Sequence, residues 1–459
     1  MTEMMQRDSG AGQRNRWLLV AVVGLAAFMG TLDTSIVSVA IPFIQQDLHT
    51  RPDLIEWVSL SYFLPMVALA LPNGRWLDRV GKRVMFALAA SGFGLSSIVC
   101  GLAPTIGVLI AARIVQGAFG ALLFVMTPVL ATIAVRPEAR GRALSVPTTL
   151  GPLGAASGPA LGGLLVGQLG WHWIFYVNVP VCIVIVLLGL HQMSADGPLR
   201  LPGRAWLIEA VLFGSSVAAL LVGLTFTAGG GLGWLVIVTL AVVPLWIWSR
   251  LPLSKEPRAL LRSGPVLPPL IGLVTIMAAV GLVQYLTPFF LTDSIHLSPE
   301  LIGITVLAFP IGMAIFGPLS GVISDRWGVR APQVLGGLVA VIGLALIVPL
   351  DHNWGPFDLV WRLALFGIGT GLFLAPNQAS VMASVPKSMF GTAGASSSLL
   401  RQLGLSLGPA IATLAWSLSG YTNTGMAAAY LVAAGAAFAA AVSAGIRRRP
   451  EPEVPWQGG

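Results

Sequence analysis

The chain has 459 residues, of which 56% are hydrophobic and only 10% charged, with a mean hydropathy of +0.84 and a net charge of +8. A soluble domain carries about a quarter charged residues, so this composition excludes one and points to an all-α polytopic membrane protein. The positive balance does not signal nucleic acid, because the basic residues sit in short loops between apolar spans, where they orient a membrane protein.

A spanning helix needs about 20 mainly apolar residues. Fourteen such stretches are predicted: 17–42, 56–76, 83–103, 105–134, 143–167, 174–193, 206–228, 233–249, 266–291, 299–323, 332–350, 357–384, 392–417 and 425–446. The first is too long for a cleavable leader and is expected to stay, behind a tail (1–16) bearing Arg7, Arg14 and Arg16. An even number of spans returns both ends to one side, and Arg447, Arg448 and Arg449 in the closing tail (447–459) agree. With alternate loops assigned to the cytoplasm, only Arg51, Arg113, Arg362 and Arg401 of the 26 Lys and Arg fall elsewhere. That asymmetry predicts a multi-pass protein of the cytoplasmic (inner) membrane with both termini inside. Trp17, Trp57, Trp171, Trp234 and Trp354 fall near span ends, as interface anchors do.

Helix 1 carries Asp33, within Leu32-Asp33-Thr34-Ser35-Ile36-Val37-Ser38-Val39-Ala40-Ile41-Pro42, with Pro42 expected to close it. A carboxylate inside a span is costly unless paired, protonated or facing a wet cavity. It lies about nine residues, roughly 13 Å, from the outer end, and Arg113 of helix 4 lies about eight residues, roughly 12 Å, from the same face. Two opposite charges are thus predicted at one depth, as a proton-handling pair or as a static salt bridge. Between helices 2 and 3 runs Gly74-Arg75-Trp76-Leu77-Asp78-Arg79-Val80-Gly81-Lys82-Arg83, where a tight turn needs a glycine and an acid–base pair can fix the joint. Helix 5 holds Gly151-Pro152-Leu153-Gly154-Ala155-Ala156-Ser157-Gly158-Pro159-Ala160-Leu161-Gly162-Gly163, whose four-residue glycine spacing predicts close helix approach. Cys100 and Cys182, in apolar spans, read as packing residues, with neither a disulfide nor a metal site expected.

The chain then repeats itself. The loop returns as Gly321-Val322-Ile323-Ser324-Asp325-Arg326-Trp327-Gly328-Val329-Arg330, Pro42 matches Pro288, Arg113 matches Arg362, and Gly154 to Ala160 matches Gly404 to Ala410, all at nearly one offset. Segments 194–205 and 250–265 read as loops bracketing helices 7 and 8, which have no counterpart. The expected layout is a six-helix bundle (17–193), a linker with two inserted helices (194–265), and a second six-helix bundle (266–446). Duplicated halves around a midplane site are the basis of alternating access. The position matching Asp33 falls near Ala279 or Val280, so the second half lacks the acid, and Asp358 with Arg362 reads as a structural pair at helical spacing.

These stretches resemble the major facilitator superfamily. The helix 2–3 loop is similar to its G-x-L-x-D-R-x-G-R-R/K pattern, departing at Trp76 and Lys82. The stretch Leu109-x-x-x-Arg113-x-x-Gln116-Gly117 looks like its helix 4 signature, and helix 5 resembles its antiporter signature, with Ser145 in place of an earlier glycine. The segment Trp171-His172-Trp173-Ile174-Phe175-Tyr176-Val177-Asn178-Val179-Pro180 looks like W-R-W-x-F-x-x-N-x-P, with His172 replacing Arg at the outer surface. Together with the count of fourteen, these place the resemblance in the drug/proton antiporter branch (EmrB/QacA type). The resemblance implies a major facilitator fold and proton-coupled export of drugs or drug-like amphiphiles, the alternative being a dedicated exporter of one metabolite, antibiotic or siderophore. Uptake by symport is disfavoured by the helix 5 signature, and a non-transporting sensor by the short tails.

The implied roles are proton coupling for Asp33 and Arg113, gating for Gly74, Asp78, Arg79, Gly81, Lys82, Arg83, Asp325 and Arg326, and helix packing for Gln116, Gly117, Gly154, Gly158, Pro159, Gly162 and Gly163. Depth along the helices adds Tyr62, Gln284, Tyr285, Asn377 and Gln378 as cavity candidates. Arg401 is either a packing residue or a substrate contact. Glu56, Glu209, Asp293 and Glu300 fall near span ends, leaving Asp33 the one clearly mid-membrane acid. The glycines at 367, 369 and 371 lie in an apolar helix with no strand before them, and no phosphate loop, nucleophile elbow or metal-spaced His/Cys set occurs. No enzymatic chemistry and no cofactor beyond the proton is expected; the partners are a small-molecule substrate and the bilayer, with no nucleic acid, and the protein is expected to work as a monomer.

Overall fold

In hydrocarbon every backbone N–H and C=O must find its partner within the chain, so the apolar stretches fold as helices. The structure is a computed structural model. It describes residues 15–446 except 78–79, 137–138, 195, 199, 263, 352–353 and 386–389. The side chains of 140–142, 144, 145, 148, 152, 228–230, 232, 253, 256, 262, 325, 390–392 and 395 also lie outside the description.

The helices are α1 (Trp17–Asp47), α2 (Trp57–Leu77, preceded by a helical turn at Pro52–Ile55), α3 (Lys82–Gly101), α4 (Ile106–Ile133), α5 (Arg140–Leu169) and α6 (Asn178–Gln192). Next come α7 (Arg204–Gly230) and α8, in two pieces, Leu235–Leu240 and Val242–Arg250. The remainder are α9 (Leu267–Phe289), α10 (Pro299–Trp327), α11 (Arg330–Ala345), α12 (Pro356–Ala383), α13 (Phe390–Ser417) and α14 (Asn423–Gly445). Among the described residues eleven helices are long and apolar enough to cross a membrane; α8 and α11 are apolar but shorter, and α13 is not among the eleven. Arg401, Gln402 and the serines of α13 lower its apolarity.

Three local expectations change. Pro42 lies inside α1, which runs on to Asp47; a proline forfeits one helical hydrogen bond, a loss that neighbouring elements absorb in spans. The segment 250–265 contains a helix, Lys255–Arg262. Gly74 is a residue of α2 with nothing near it, so it makes no turn.

Glycine faces set the packing. A Cβ on Gly154 would sit 2.2 Å from the Phe28 carbonyl oxygen, and one on Gly158 2.5 Å from the Ser35 Cβ, so α1 and α5 touch backbone to backbone. Thr31 and Ser35 of α1 donate across the joint to the carbonyls of Gly151 (2.6 Å) and Ala155 (2.7 Å). The second half repeats the joint: Gly404 and Gly408 of α13 lie against Met277 and Leu282 of α9. The opposite face of α5 meets α10, where a Cβ on Gly303 would stand 2.2 Å from the Pro159 carbonyl oxygen and 3.1 Å from the Gly163 Cα.

One face of the bundle gathers the start of α1 and the ends of α4 and α6, where Arg16 bonds the carbonyls of Ala134 and Gln192. This is the basic face. The opposite, far face gathers the ends of α1 and α5, where the indole of Trp171 donates to Asp47 at 2.8 Å. Trp171 is therefore buried in packing and does not anchor at the surface. The halves join at the far face in one apolar core running from Ile36 and Phe175 through Leu286 and Phe289 to Trp416. Toward the basic face α10 is uncovered: of its described side chains from Met313 onward only Ser320 is buried. Helix α7 lies in the seam between α2 and α13, where Val217 and Leu221 pack on Leu60, Val67 and Ala410.

Gly303→Ala should cost about 1–3 kcal/mol by overpacking the α5–α10 contact, read as a lower thermal unfolding midpoint in detergent. Gly321→Ala, whose Cβ would meet nothing within 4 Å, should leave the midpoint unchanged.

Candidate functional site

Asp33 reaches the centre of the first six helices because α1 carries small residues on its α5 side, which leaves the carboxylate facing α4. Gly117 completes the geometry from the other side. A Cβ there would stand 2.3 Å from the Tyr62 carbonyl oxygen, so its absence lets α4 close on α2. Arg113 then lies one helical turn away from that contact, with its Nε donating to the Val58 carbonyl of α2 at 3.0 Å.

The two charges meet. Arg113 Nη1 stands 2.7 Å from Asp33 Oδ2, with the side chains 1% and 0% exposed. The other carboxylate oxygen accepts from Asn178 Nδ2 of α6 (2.7 Å) and Gln116 Nε2 of α4 (3.1 Å). Gln116 accepts from Arg113 Nη1 at 2.7 Å and donates to the Ser97 hydroxyl of α3 at 2.8 Å. The guanidinium also lies 4.2 Å above the ring of Tyr62 and 5.8 Å from that of Phe175. A buried charge is tolerated only when paired and bonded on its remaining faces, and this pair is. Arg113 keeps the Val58 carbonyl, Gln116 and two aromatic faces even without Asp33.

Among the expected site residues, the structure thus brings together Asp33, Arg113, Gln116, Gly117 and Tyr62. Gln116 does more than pack: it bridges both members of the pair. Tyr62 is 1% exposed and belongs to the guanidinium's cage. Ser97 was missed, and Asn178 was named in its motif but given no role; their signal was an uncharged polar side chain inside an otherwise apolar run. Cys100 and Cys182 are free and buried as expected, Cys100 with its Sγ 3.6 Å from Gln116.

The described gating residues lie away from this pair. Asp78 and Arg79, and the side chain of Asp325, lie outside the described residues, and Arg326 is exposed. Gly81 has a definite role: a Cβ would meet the Gly197 carbonyl oxygen at 2.2 Å, so it admits the 194–203 segment against the loop. Asp196 of that segment caps α3, accepting from the backbone N–H of Lys82 (2.8 Å) and Arg83 (3.2 Å). Next to it Arg75 pairs with Glu209 of α7 at 2.9 Å, and Trp248 also donates to Glu209.

The remaining expected residues are dispersed. Tyr285 is buried at the far-face junction, its hydroxyl 3.4 Å from the Pro52 carbonyl. Asn377 is buried and donates to the Pro269 carbonyl at 3.0 Å. Gln284, Gln378 and Arg401 are half-buried. Arg362 is 3.7 Å from Asp358, as expected for a structural pair, and its guanidinium also lies over Trp354 and Trp361. Ala279 and Val280, where a second acid would stand, are buried and apolar. Glu56 and Glu209 correct the reading from depth alone: both stand near helix ends, and both are fully buried.

Two bundles of apolar helices about a buried acid–base pair define a polytopic membrane transporter. The sequence profile described as Major Facilitator Superfamily matches residues 23–409 and 269–459, and the chain belongs to that family. It is 32% identical over 409 residues to the multidrug resistance protein Stp of Mycobacterium tuberculosis, covering 87% of this chain and 75% of that one. It is 31% identical over 447 residues to the puromycin resistance protein pur8 of Streptomyces alboniger, covering 93% and 86%. The riboflavin transporter RibZ of Clostridioides difficile is 26% identical over 407 residues, covering 86% and 87%. In shape it matches a crystal structure of a mutant of the peptide transporter POT in complex with sulfate, with a TM-score of 0.69 over 95% of this chain and 96% of that one. At 16% identity that likeness concerns the fold alone. The protein is a transporter and not an enzyme.

Removing a donor from Asp33 should be costly in a graded way. Asn178→Ala should destabilise by about 1–3 kcal/mol. Arg113→Ala, which strands the carboxylate, should cost about 3–5 kcal/mol. Unfolding of the purified protein in denaturant orders the two.

Proposed function

We propose that this protein exports drugs or drug-like amphiphiles in exchange for protons, by alternating access, as a member of the fourteen-helix drug/proton antiporter branch. In this reading α8, α11 and α13 also cross the bilayer and the basic face is cytoplasmic. Residues 17–193 and 266–446 are then the rocking halves, with α7 and α8 inserted between them. The chain sits in the cytoplasmic membrane and works as a monomer, with the proton as its only coupling ion. The single observation that carries the proposal is the sealed Asp33–Arg113 pair. Similarity to proteins named for multidrug and puromycin resistance supports the export of foreign compounds.

The chemistry follows from the geometry. A proton on Asp33 cancels the attraction that ties α1 to α4, while Val58, Gln116 and Tyr62 retain Arg113. Helix α1 is fused to α5 through Gly154 and Gly158, and the other face of α5 bears on α10 through Pro159 and Gly163. A change at Asp33 therefore has a short mechanical route to the contact between the halves. Each proton entering supplies about 2.3 kcal/mol per 100 mV of potential, and about 1.4 kcal/mol more per pH unit. The half-buried polar residues Gln284, Gln378 and Arg401 are the substrate contacts in this scheme. The second reading is a dedicated exporter of one metabolite, for which similarity to a protein named as a riboflavin transporter supports a single metabolite as cargo; a panel of compounds assayed on one preparation separates the two.

In proteoliposomes with an imposed pH gradient, Asp33→Asn should abolish gradient-driven transport while substrate binding and expression persist. Full gradient-driven activity in that variant would reject the coupling role. Asp78→Asn should slow turnover several-fold with substrate affinity retained, measured as initial rates beside equilibrium binding.

A further inference from the structure

Glu56 immediately precedes α2 at the far face, and among the described residues no cation pairs with it. Its neighbour Arg51 is committed to Asp53 by two bonds, Nε to Oδ1 at 3.0 Å and Nη2 to Oδ2 at 2.6 Å. Glu56 is 0% exposed; one carboxyl oxygen accepts from the Thr225 hydroxyl of α7 and the other, Oε2, has no partner. From α13 the buried hydroxyl of Thr413 faces both Glu56 and the Tyr285 hydroxyl of α9, without a well-aligned hydrogen bond to either, and the indole N–H of Trp416 is buried without a partner. Among the described residues, the other titratable groups facing this spot are Asp53, Tyr285 and Tyr421, all acids. Glu56 is thus a carboxyl enclosed by the first half (α2), the inserted helix (α7) and the second half (α9, α13), at the place where the halves meet. A carboxylate left there would carry a buried, unpaired charge, which the neutral acid does not.

We propose that Glu56 is a second proton-binding site, separate from Asp33, and that the far-face seal closes over it only when it carries a proton. The proton comes from far-side water onto the carboxylate as the junction closes and returns there when it opens, so none is consumed. The role deepens the antiport reading and rests on it: acid on the far side then favours the closed far face, with the cavity open toward the basic face.

The test reads opening directly. Ala410 of α13 is 0% exposed in the seam beside Leu60, Val217 and Leu221, one turn from Thr413. In the full-length Ala410→Cys protein in nanodiscs, labelling by a membrane-impermeant maleimide is followed against pH and normalised to the unfolded protein. Cys100 and Cys182 are buried, and the protein without the Ala410 substitution serves as blank. The normalised rate should rise with pH, by up to about tenfold per unit below the midpoint. In the Asp33→Asn background, where the first site no longer titrates, the rise should persist, and adding Glu56→Gln there should leave the rate low and flat. Labelling independent of pH, or a rise unchanged by Glu56→Gln, overturns the proposal. Should Glu56→Gln not fold, Thr225→Val removes the carboxyl's donor and should move the midpoint to higher pH; an unmoved midpoint overturns it equally. Because labelling needs no transport, failure of the antiport reading would appear separately, as wild-type proteoliposomes that a pH gradient does not drive.

Discussion

The structure depends on how charge is made tolerable where water is absent. Asp33 and Arg113 neutralise each other, and every neighbouring helix of the first half except α5 contributes something to the pair: a carbonyl and a ring from α2, a hydroxyl from α3, an amide from α4 and another from α6. Stripping any one of these leaves a buried group short of a partner, so the pair fixes the relative rotation of five helices. The exception, α5, holds α1 by close backbone approach and by the neutral Thr31 and Ser35 hydroxyls bonded to its carbonyls. Bonds to the charged pair on one side of α1 and close neutral packing on the other give that helix two distinct constraints, and only the first involves an ionisable group.

The glycines of α5 matter for the same reason. Gly154 and Gly158 face α1, whereas Pro159 and Gly163 face α10 in the other half. Contacts this close leave no flexible side chain to absorb a displacement, so α5 passes movement on as a rigid element. The second half has the matching α9–α13 joint but lacks the acid, with Ala279 and Val280 in its place. Duplication has preserved the mechanics of both halves and the charge chemistry of one.

Much of this was legible in the sequence, and what was not has physical causes. The helices could be read because hydrocarbon demands long apolar stretches, and Asp33 and Arg113 because charges inside such stretches need each other. Four-residue glycine spacing announced the α5 faces without saying which neighbour each would meet. Ser97 escaped notice, and Asn178 was given no role beyond its motif, because uncharged polar residues are common in spans and only their direction makes them ligands. Gly74 looked like a turn by its place in a pattern, whereas the close approach belongs to Gly81. Glu56 and Glu209 were read from depth along a single helix, and depth says nothing of what covers a helix end. Their burial comes from α7 and the opposite half, partners distant in sequence.

The inserted helix supplies that cover. It is bonded to α2 near both ends: Arg75 to Glu209 and Trp206 to Asn73 toward the basic face, Thr225 to Glu56 at the far face. Against α13 it offers mainly apolar contact, Val217 and Leu221 beside Ala410. Bonds on one side and grease on the other make α7 a companion of the first half that can slide along the second. In the proposed cycle it would shield the seam from lipid while the halves move, without being torn from its own side. A polar group placed at that seam, as Glu56 is, would then be hidden or wetted according to the position of the halves, which is the property that the proposed proton-dependent closure requires.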